Sequence, residues 1–280
     1  MEYAYRVVNV FTVDGDRLSG NPLCVFEDGG GLGPAAMQAL ARQFNLSETT
    51  FILPSDEATA AVRIFTPTYE MPFAGHPSLG TAHVVRALGR GDDAVTLEMR
   101  AGRIPVAASG DDWSLQARPP RHRAADLTRP QLADMLGLAA DDVLDGARWV
   151  DTGSEQLVIP LRSADAVRRC KPVPELLERL ACLDDTGYRA YVFAETDEVD
   201  VRARFFFRAA TLSEDPATGS ACANLGGWLL AASRPPPLTR TIRQGDEVGR
   251  PSRLVLRIDA EGRIFVSGRV VELGRGVVLL

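Results

Sequence analysis

The sequence predicts an α+β protein of two lobes, each a curved sheet around one apolar helix. Two Pro/Gly-punctuated loops, Glu70 to Gly80 and Glu214 to Cys222, each follow a strand-like run and open directly into a helix. Those helices, at about 77–88 and 219–232, are apolar almost all round, as a helix enclosed by its own sheet should be. The order of strands, helix, strands, Gly-containing loop with a second helix, and closing strands occurs twice along the chain. Identity between the two copies is slight, so the repeat is one of pattern.

In order, Tyr3 to Thr12 alternates as a strand, and Asp14-Gly15 and Gly20-Asn21-Pro22 supply turns before a second strand, Leu23 to Phe26. Met37, Leu40, Ala41 and Phe44 recur at helical spacing, with Pro34 at the start and Asn45 placed to end the helix in a left-handed conformation. Glu48 sits where a loop becomes the strand running to Leu53, and Ala61 to Thr66 is the next strand. The first loop follows, with Pro77 in the first helical turn, where a missing N–H costs least. Val95–Met99, Ile104–Ala108 and Trp113–Ala117 read as strands, and Pro119 to Arg129 reads as a linker.

The second copy offers strands at Trp149–Thr152 and Gln156–Leu161, an amphipathic helix at Pro174–Leu183, and strands at Tyr188–Ala194 and Val201–Phe207. The second loop and helix end at Pro235-Pro236-Pro237, and strands at Leu254–Ile258, Ile264–Val270 and Val277–Leu280 close the chain. The predicted lobes are therefore 1–118 and 119–280, with the last strand, about 272–280, a candidate to cross back to the first.

A net charge of -6 argues against nucleic acid as the main partner, because phosphate neutralisation needs a clustered basic face. No basic segment precedes an apolar core at the N-terminus, and no stretch approaches the roughly 18 apolar residues of a membrane span, so a cytoplasmic location is expected. Cys24, Cys170, Cys182 and Cys222 are widely spaced, with no His at ligand spacing, which suggests neither a metal site nor a disulfide framework. Lys171, the only lysine, lies in a polar connector, which weakens any Schiff-base chemistry. Gly29-Gly30-Gly31 lacks the spacing of a dinucleotide fingerprint, and no cofactor is implied.

Two helix N-termini facing each other would cradle a small anion. The loops bring Glu48, Glu70, His76, Asp215 and Ser220 into contention, with Ser47 and Thr218 as hydroxyl donors. Glu48, flanked by Ser47, Thr49 and Thr50, is a candidate general base, although a solvent-exposed loop glutamate fits the pattern at least as well. His76, at a helix N-terminus, is disfavoured as imidazolium and could donate one hydrogen bond while neutral; a capping role is equally compatible. Asp215 could cap its helix or hold a substrate. Cys222, in the first helical turn, should have a lowered thiol pKa, but reads first as small apolar packing. Ser220 lacks the G-x-S-x-G setting of a nucleophile.

These motifs in this order resemble the PhzF-like isomerase family of phenazine biosynthesis, which shares a fold with diaminopimelate epimerase. The resemblance rests on Gly20-Asn21-Pro22, Asn45 to Phe51, Arg63-Ile64-Phe65-Thr66-Pro67, Pro72 to Pro77, Glu214 to Ala221, Gln244-Gly245 with Gly249 to Ser252, and Gly274-Arg275-Gly276. It implies two pseudo-symmetric β-barrel-like lobes around central helices, a homodimer, no cofactor, and a proton shift on a dihydro-hydroxyanthranilate-like or pyrroline-carboxylate-like substrate in secondary metabolism. It further implies that Glu48 moves the proton, that His76, Asp215 and Ser220 hold the substrate, and that Gly75 and Gly219 offer N–H groups to its carboxylate. The related epimerases and racemases use two opposed cysteines, for which these loops offer neither position. An epimerase using Cys222, or a binding member of the fold that has lost its chemistry, are the rival readings.

Overall fold

A computed structural model describes residues 1–183, 187–208 and 212–280. The chain divides into two units, Met1–Gln116 with Ser267–Leu280, and Ala117–Val266. In the first, β1 (Glu2–Val10), β2 (Asn21–Phe26), β3 (Glu48–Leu53), β4 (Ala60–Phe65), β6 (Ala94–Met99), β7 (Gly102–Ser109) and β8 (Asp112–Gln116) pair in that order, and β5 (Glu70–Met71) hangs on β4. The long β17 (Ile264–Leu279) pairs with both β1 and β8, closing a barrel of eight strands. Closure removes the unpaired edges that an open sheet would expose.

Inside this barrel runs α2 (Gly75–Ala87), in contact with β1, β2, β3, β6, β7 and β8. The wall approaches so closely at Gly80 that a Cβ there would lie 2.6 Å from Leu23 Cδ2, which explains a glycine inside a helix. Outside the barrel, α1 (Pro34–Phe44) buries Met37, Leu40 and Ala41 against Phe26, Phe51 and Phe65. It ends at Asn45 with φ 51, the left-handed stop its side chain tolerates.

The second unit repeats the plan. β9 (Arg121–Ala124), β10 (Arg148–Asp151), β11 (Glu155–Pro160), β12 (Arg189–Glu195), β13 (Asp200–Arg208), β15 (Leu238–Gln244) and β16 (Ser252–Ile258) pair in order, and β14 (Leu212–Asp215) hangs on β13. From β1 to β7 the pairings run antiparallel, parallel, antiparallel, parallel, antiparallel, and from β10 to β16 the same sequence recurs. Its central helix α6 (Gly219–Ala231) touches β9, β10, β11 and β16, and a Cβ at Gly227 would lie 2.7 Å from Val150. The predicted fold class is thus observed: α+β, two lobes, each a barrel-like curved sheet around one helix.

The predicted linker is instead part of the sheet. β9 lies within it, wholly exposed, and its Arg- and His-rich sequence hides the strand alternation; an Arg121–Asp151 ion pair and Arg123 over Trp149 hold it to β10, and an Arg123–Glu155 ion pair reaches on to β11. The second lobe also carries two helices too short to show a period, α3 (Arg129–Leu136), with a Thr128–Gln131 capping box, and α4 (Ala164–Arg169), capped by Ser163. With α5 (Pro174–Leu180) they cover Trp149, Leu157, Ile159 and Val192. The two closing strands predicted at 264–270 and 277–280 form one strand, because Gly274 and Gly276 are ladder residues; at Gly276 a Cβ would lie 2.7 Å from Tyr5 Oη. Among the described residues, no helix is long and apolar enough to cross a membrane.

Candidate active site

In the first lobe β3 delivers Glu48 as its first residue and α2 delivers His76 as its second. Their side chains meet, Glu48 Oε2 lying 3.5 Å from His76 Nε2. His76 is only 6% exposed, and burial pushes its pKa down to about 3, so the ring is neutral at physiological pH. A hydrogen bond to the backbone of Pro22 works against that shift. Proline has no N–H, so the imidazole is the donor to the Pro22 carbonyl. Since Nε2 has no hydrogen-bond partner, that donor is Nδ1–H. The tautomer is thereby fixed, and Nε2 turns a lone pair toward Glu48.

Gly75 is the first residue of α2, and Ala74 precedes it in an extended conformation. Pro77 has no N–H and the Ser78 N–H closes on Ala74 O, which leaves the Gly75 and His76 amides outside the helix ladder. Ser47 is exposed on the bend before β3. Glu70 takes a different part from the acid/base role for which it contended. Both its oxygens accept from Arg63, at 2.8 and 2.7 Å, and those hydrogen bonds hold its carboxyl below the usual range. Glu70 therefore anchors the short strand from which the α2 loop departs.

In the second lobe Asp215 ends β14 and accepts from Thr218 Oγ1 at 2.5 Å, while Gln244 Nε2 donates to the Asp215 carbonyl and to Thr218 Oγ1. Thr218 is the N-cap residue of α6, Gly219 its first residue and Ser220 its second. Gly219 and Ser220 are partly exposed, and Ser220 Oγ accepts from Gln156 Nε2 at 2.9 Å. The strand bearing Asp215 is anchored as β5 is: Arg204 donates to both oxygens of Glu214 at 2.9 and 2.7 Å. Arg63 lies over Phe65 and Arg204 over Phe206, and Phe65 pairs with Glu70 where Phe206 pairs with Glu214. One device, Arg-x-Phe on the long strand and Glu on the short one, fixes both loops.

Cys222 has the packing role read first for it but not the lowered thiol pKa. It is fully buried, and desolvation pushes its thiol up, overriding the helix N-terminus that was expected to lower it. A thiol so placed packs and does not serve as a base. His83 receives the Trp113 indole N–H at 3.3 Å inside the first lobe, a packed role. His122 is exposed on β9. Sequence reasoning missed Pro22, Gln156 and Asn224 as partners of the helix openings. Asn224 had a signal, being the one amide in the apolar run of α6.

The family model for phenazine biosynthesis-like proteins matches residues 8–276. The chain belongs to this PhzC-PhzF family. An uncharacterized isomerase of Pasteurella multocida is 39% identical, with 98% of this chain and 93% of that protein covered. The trans-2,3-dihydro-3-hydroxyanthranilate isomerase of Pseudomonas aeruginosa is 34% identical over 98% of each. A PhzF-family protein of Bacillus anthracis, 24% identical, matches the fold over the full length of both chains with a TM-score of 0.85. This PhzF-like chain is therefore an isomerase, from a family that acts on small molecules.

Proposed function

We propose that this PhzF-like isomerase moves a proton, and with it a double bond, within a small unsaturated carboxylate resembling trans-2,3-dihydro-3-hydroxyanthranilate, in the making of a secondary metabolite. The observation that carries the reading is the 3.5 Å approach of Glu48 to a neutral, tautomer-fixed His76. Glu48 takes the proton from a carbon acidified by conjugation and returns it to another carbon of the same π system. The electron pair stays in the substrate, so no oxidation state changes and the step calls for no cofactor. Neutral His76 has its one N–H on Pro22, so it does not donate to the substrate as the sequence suggested. Its Nε2 lone pair is an acceptor for Glu48 once that carboxyl has taken the proton. Being neutral, it places no cation beside the working carboxyl to hold it ionised and weaken it as a base.

In this proposal Asp215 and Ser220 hold the substrate, Ser47 lends a hydroxyl, and the helix N-termini at Gly75 and Gly219 receive its carboxylate. The enzyme works as a homodimer. Support comes from the isomerase named above, 34% identical over nearly the whole of both chains. The test is turnover of trans-2,3-dihydro-3-hydroxyanthranilate in deuterated water, followed by NMR. We expect the isomerised product, carrying deuterium at the receiving ring carbon to the extent that the Glu48 carboxyl exchanges with solvent between taking and returning the proton; substrate that binds without isomerising would overturn the reading.

A further inference from the structure

A chain of buried amides runs from the sheet of the second lobe to the opening of α6. Asn224, with no exposed surface, accepts at Oδ1 from both the Thr152 backbone N–H at 2.9 Å and the Thr152 hydroxyl at 2.7 Å. Its Nδ2 donates to the Ser154 carbonyl at 2.8 Å and to Gln156 Oε1 at 2.9 Å. A backbone N–H can only donate and a backbone carbonyl can only accept, so Asn224 has one permitted orientation. Gln156, 1% exposed, must then turn its oxygen to Asn224 and its Nε2 to Ser220, where it donates at 2.9 Å. Ser220 Oγ receives that N–H, so its own O–H is directed away from Gln156. The polarity of a partly exposed hydroxyl is thus set by backbone groups several bonds away.

We infer that Gln156, held by Asn224 and Thr152, is a positioning residue that keeps the Ser220 O–H turned out of the network and so favours an acceptor group, a carboxylate, in the ligand. The inference rests on the reading of Ser220 as a substrate contact and names which substrate group it takes. A hydroxyl with no fixed partner serves a substrate donor or acceptor alike, whereas this one has one lone pair taken by Gln156 and its hydrogen kept clear of the network, which favours a substrate acceptor over a donor. The neighbouring charge agrees. β12 opens on Arg189, half-buried, which donates to Ser154 Oγ at 3.2 Å beside the same network.

The test uses the full chain with two near-isosteric probes, anthranilate and anthranilamide, and binding by calorimetry. Gln156→Glu keeps the shape but offers Ser220 an acceptor, drawing its O–H inward. We expect the wild type to prefer anthranilate, and Gln156→Glu and Ser220→Ala each to weaken anthranilate binding about 10- to 100-fold, the size of one charge-assisted hydrogen bond. Anthranilamide should lose less, and the double variant should be no weaker than either single one, a non-additivity that a merely structural role would not produce. If Gln156→Glu fails to fold, Asn224→Asp replaces it: it flips Gln156, which then turns its oxygen to Ser220, and should give the same loss. Wild-type anthranilate affinity in the substituted proteins, additive losses, or no anthranilate binding by the wild type overturns the inference. Because the readout is binding, a failure of turnover in deuterated water would sink the isomerase reading separately.

Discussion

The first lobe places His76 at the opening of its central helix and the second lobe places Ser220, each the second helical residue. Each is held from the second residue of the corresponding strand, Pro22 of β2 and Gln156 of β11, by hydrogen bonds of opposite sense. Pro22 accepts, which turns a lone pair of His76 toward Glu48. Gln156 donates, which turns the Ser220 hydrogen away. The strand next to each opening differs in the same direction: β3 begins on Glu48 and β12 on Arg189. One backbone plan used twice thus presents a Glu–His pair at one helix opening and a Gln–Ser pair at the other, to which the proposed function gives the proton transfer and a substrate contact respectively.

The comparison breaks most readily at the shared clamp. Arg204 and Glu214 have side chains 9% and 10% exposed, and Arg204 also donates to the carbonyls of Val167, Arg168 and Cys170 at the end of α4. Arg204→Met leaves Glu214 buried without its partner and should cost about 3–5 kcal/mol in urea unfolding. Arg63 and Glu70 are more open, at 25% and 16%, with Arg100 a further cation 3.5 Å from Glu70, so Arg63→Met should cost roughly half as much. Equal losses would mean that the two clamps are not graded by burial.

A smaller effect belongs to the first lobe alone. Burial holds folded His76 near 3 against 6.5 for the exposed side chain. Its stabilisation is complete above pH 6.5 and is lost as pH falls toward 3, amounting to about 2 kcal/mol by pH 5. His76→Asn should flatten that part of a melting-temperature profile against pH, while Ser220→Ala should leave it unchanged. An unaltered profile in His76→Asn would place the acid sensitivity elsewhere.

Much of this was legible in the sequence. Helices apolar all round announced enclosure, the loop-helix pattern announced the repeat, and the motif series around Glu48 and Pro72 to Pro77 pointed to the family. The clamps were not legible there: Glu70 stood as an acid/base candidate, and its pairing with Arg63, like that of Glu214 with Arg204, follows only from β5 and β14 folding back on their neighbours. Other features were hidden as well. β9 is Arg- and His-rich because it is exposed on every residue, so no alternation marks it. Gly274 and Gly276 read as a break because their cause, the Tyr5 ring, lies far away in sequence. The Thr152–Asn224–Gln156–Ser220 chain depends on contacts between residues up to 72 apart, and periodicity carries no information about those.

The division of labour is tested most directly by steady-state kinetics of Glu48→Gln beside Ser220→Ala on trans-2,3-dihydro-3-hydroxyanthranilate. Glu48→Gln should lower kcat by roughly 10²–10⁴-fold with KM little changed, since it removes an interaction made in the proton transfer. Ser220→Ala should raise KM about 10-fold or more with kcat nearly intact, since it removes a contact made equally before and during the reaction. Full kcat in Glu48→Gln, or a collapse of kcat with unchanged KM in Ser220→Ala, would contradict the assignment of the proton transfer to Glu48 and of substrate binding to Ser220.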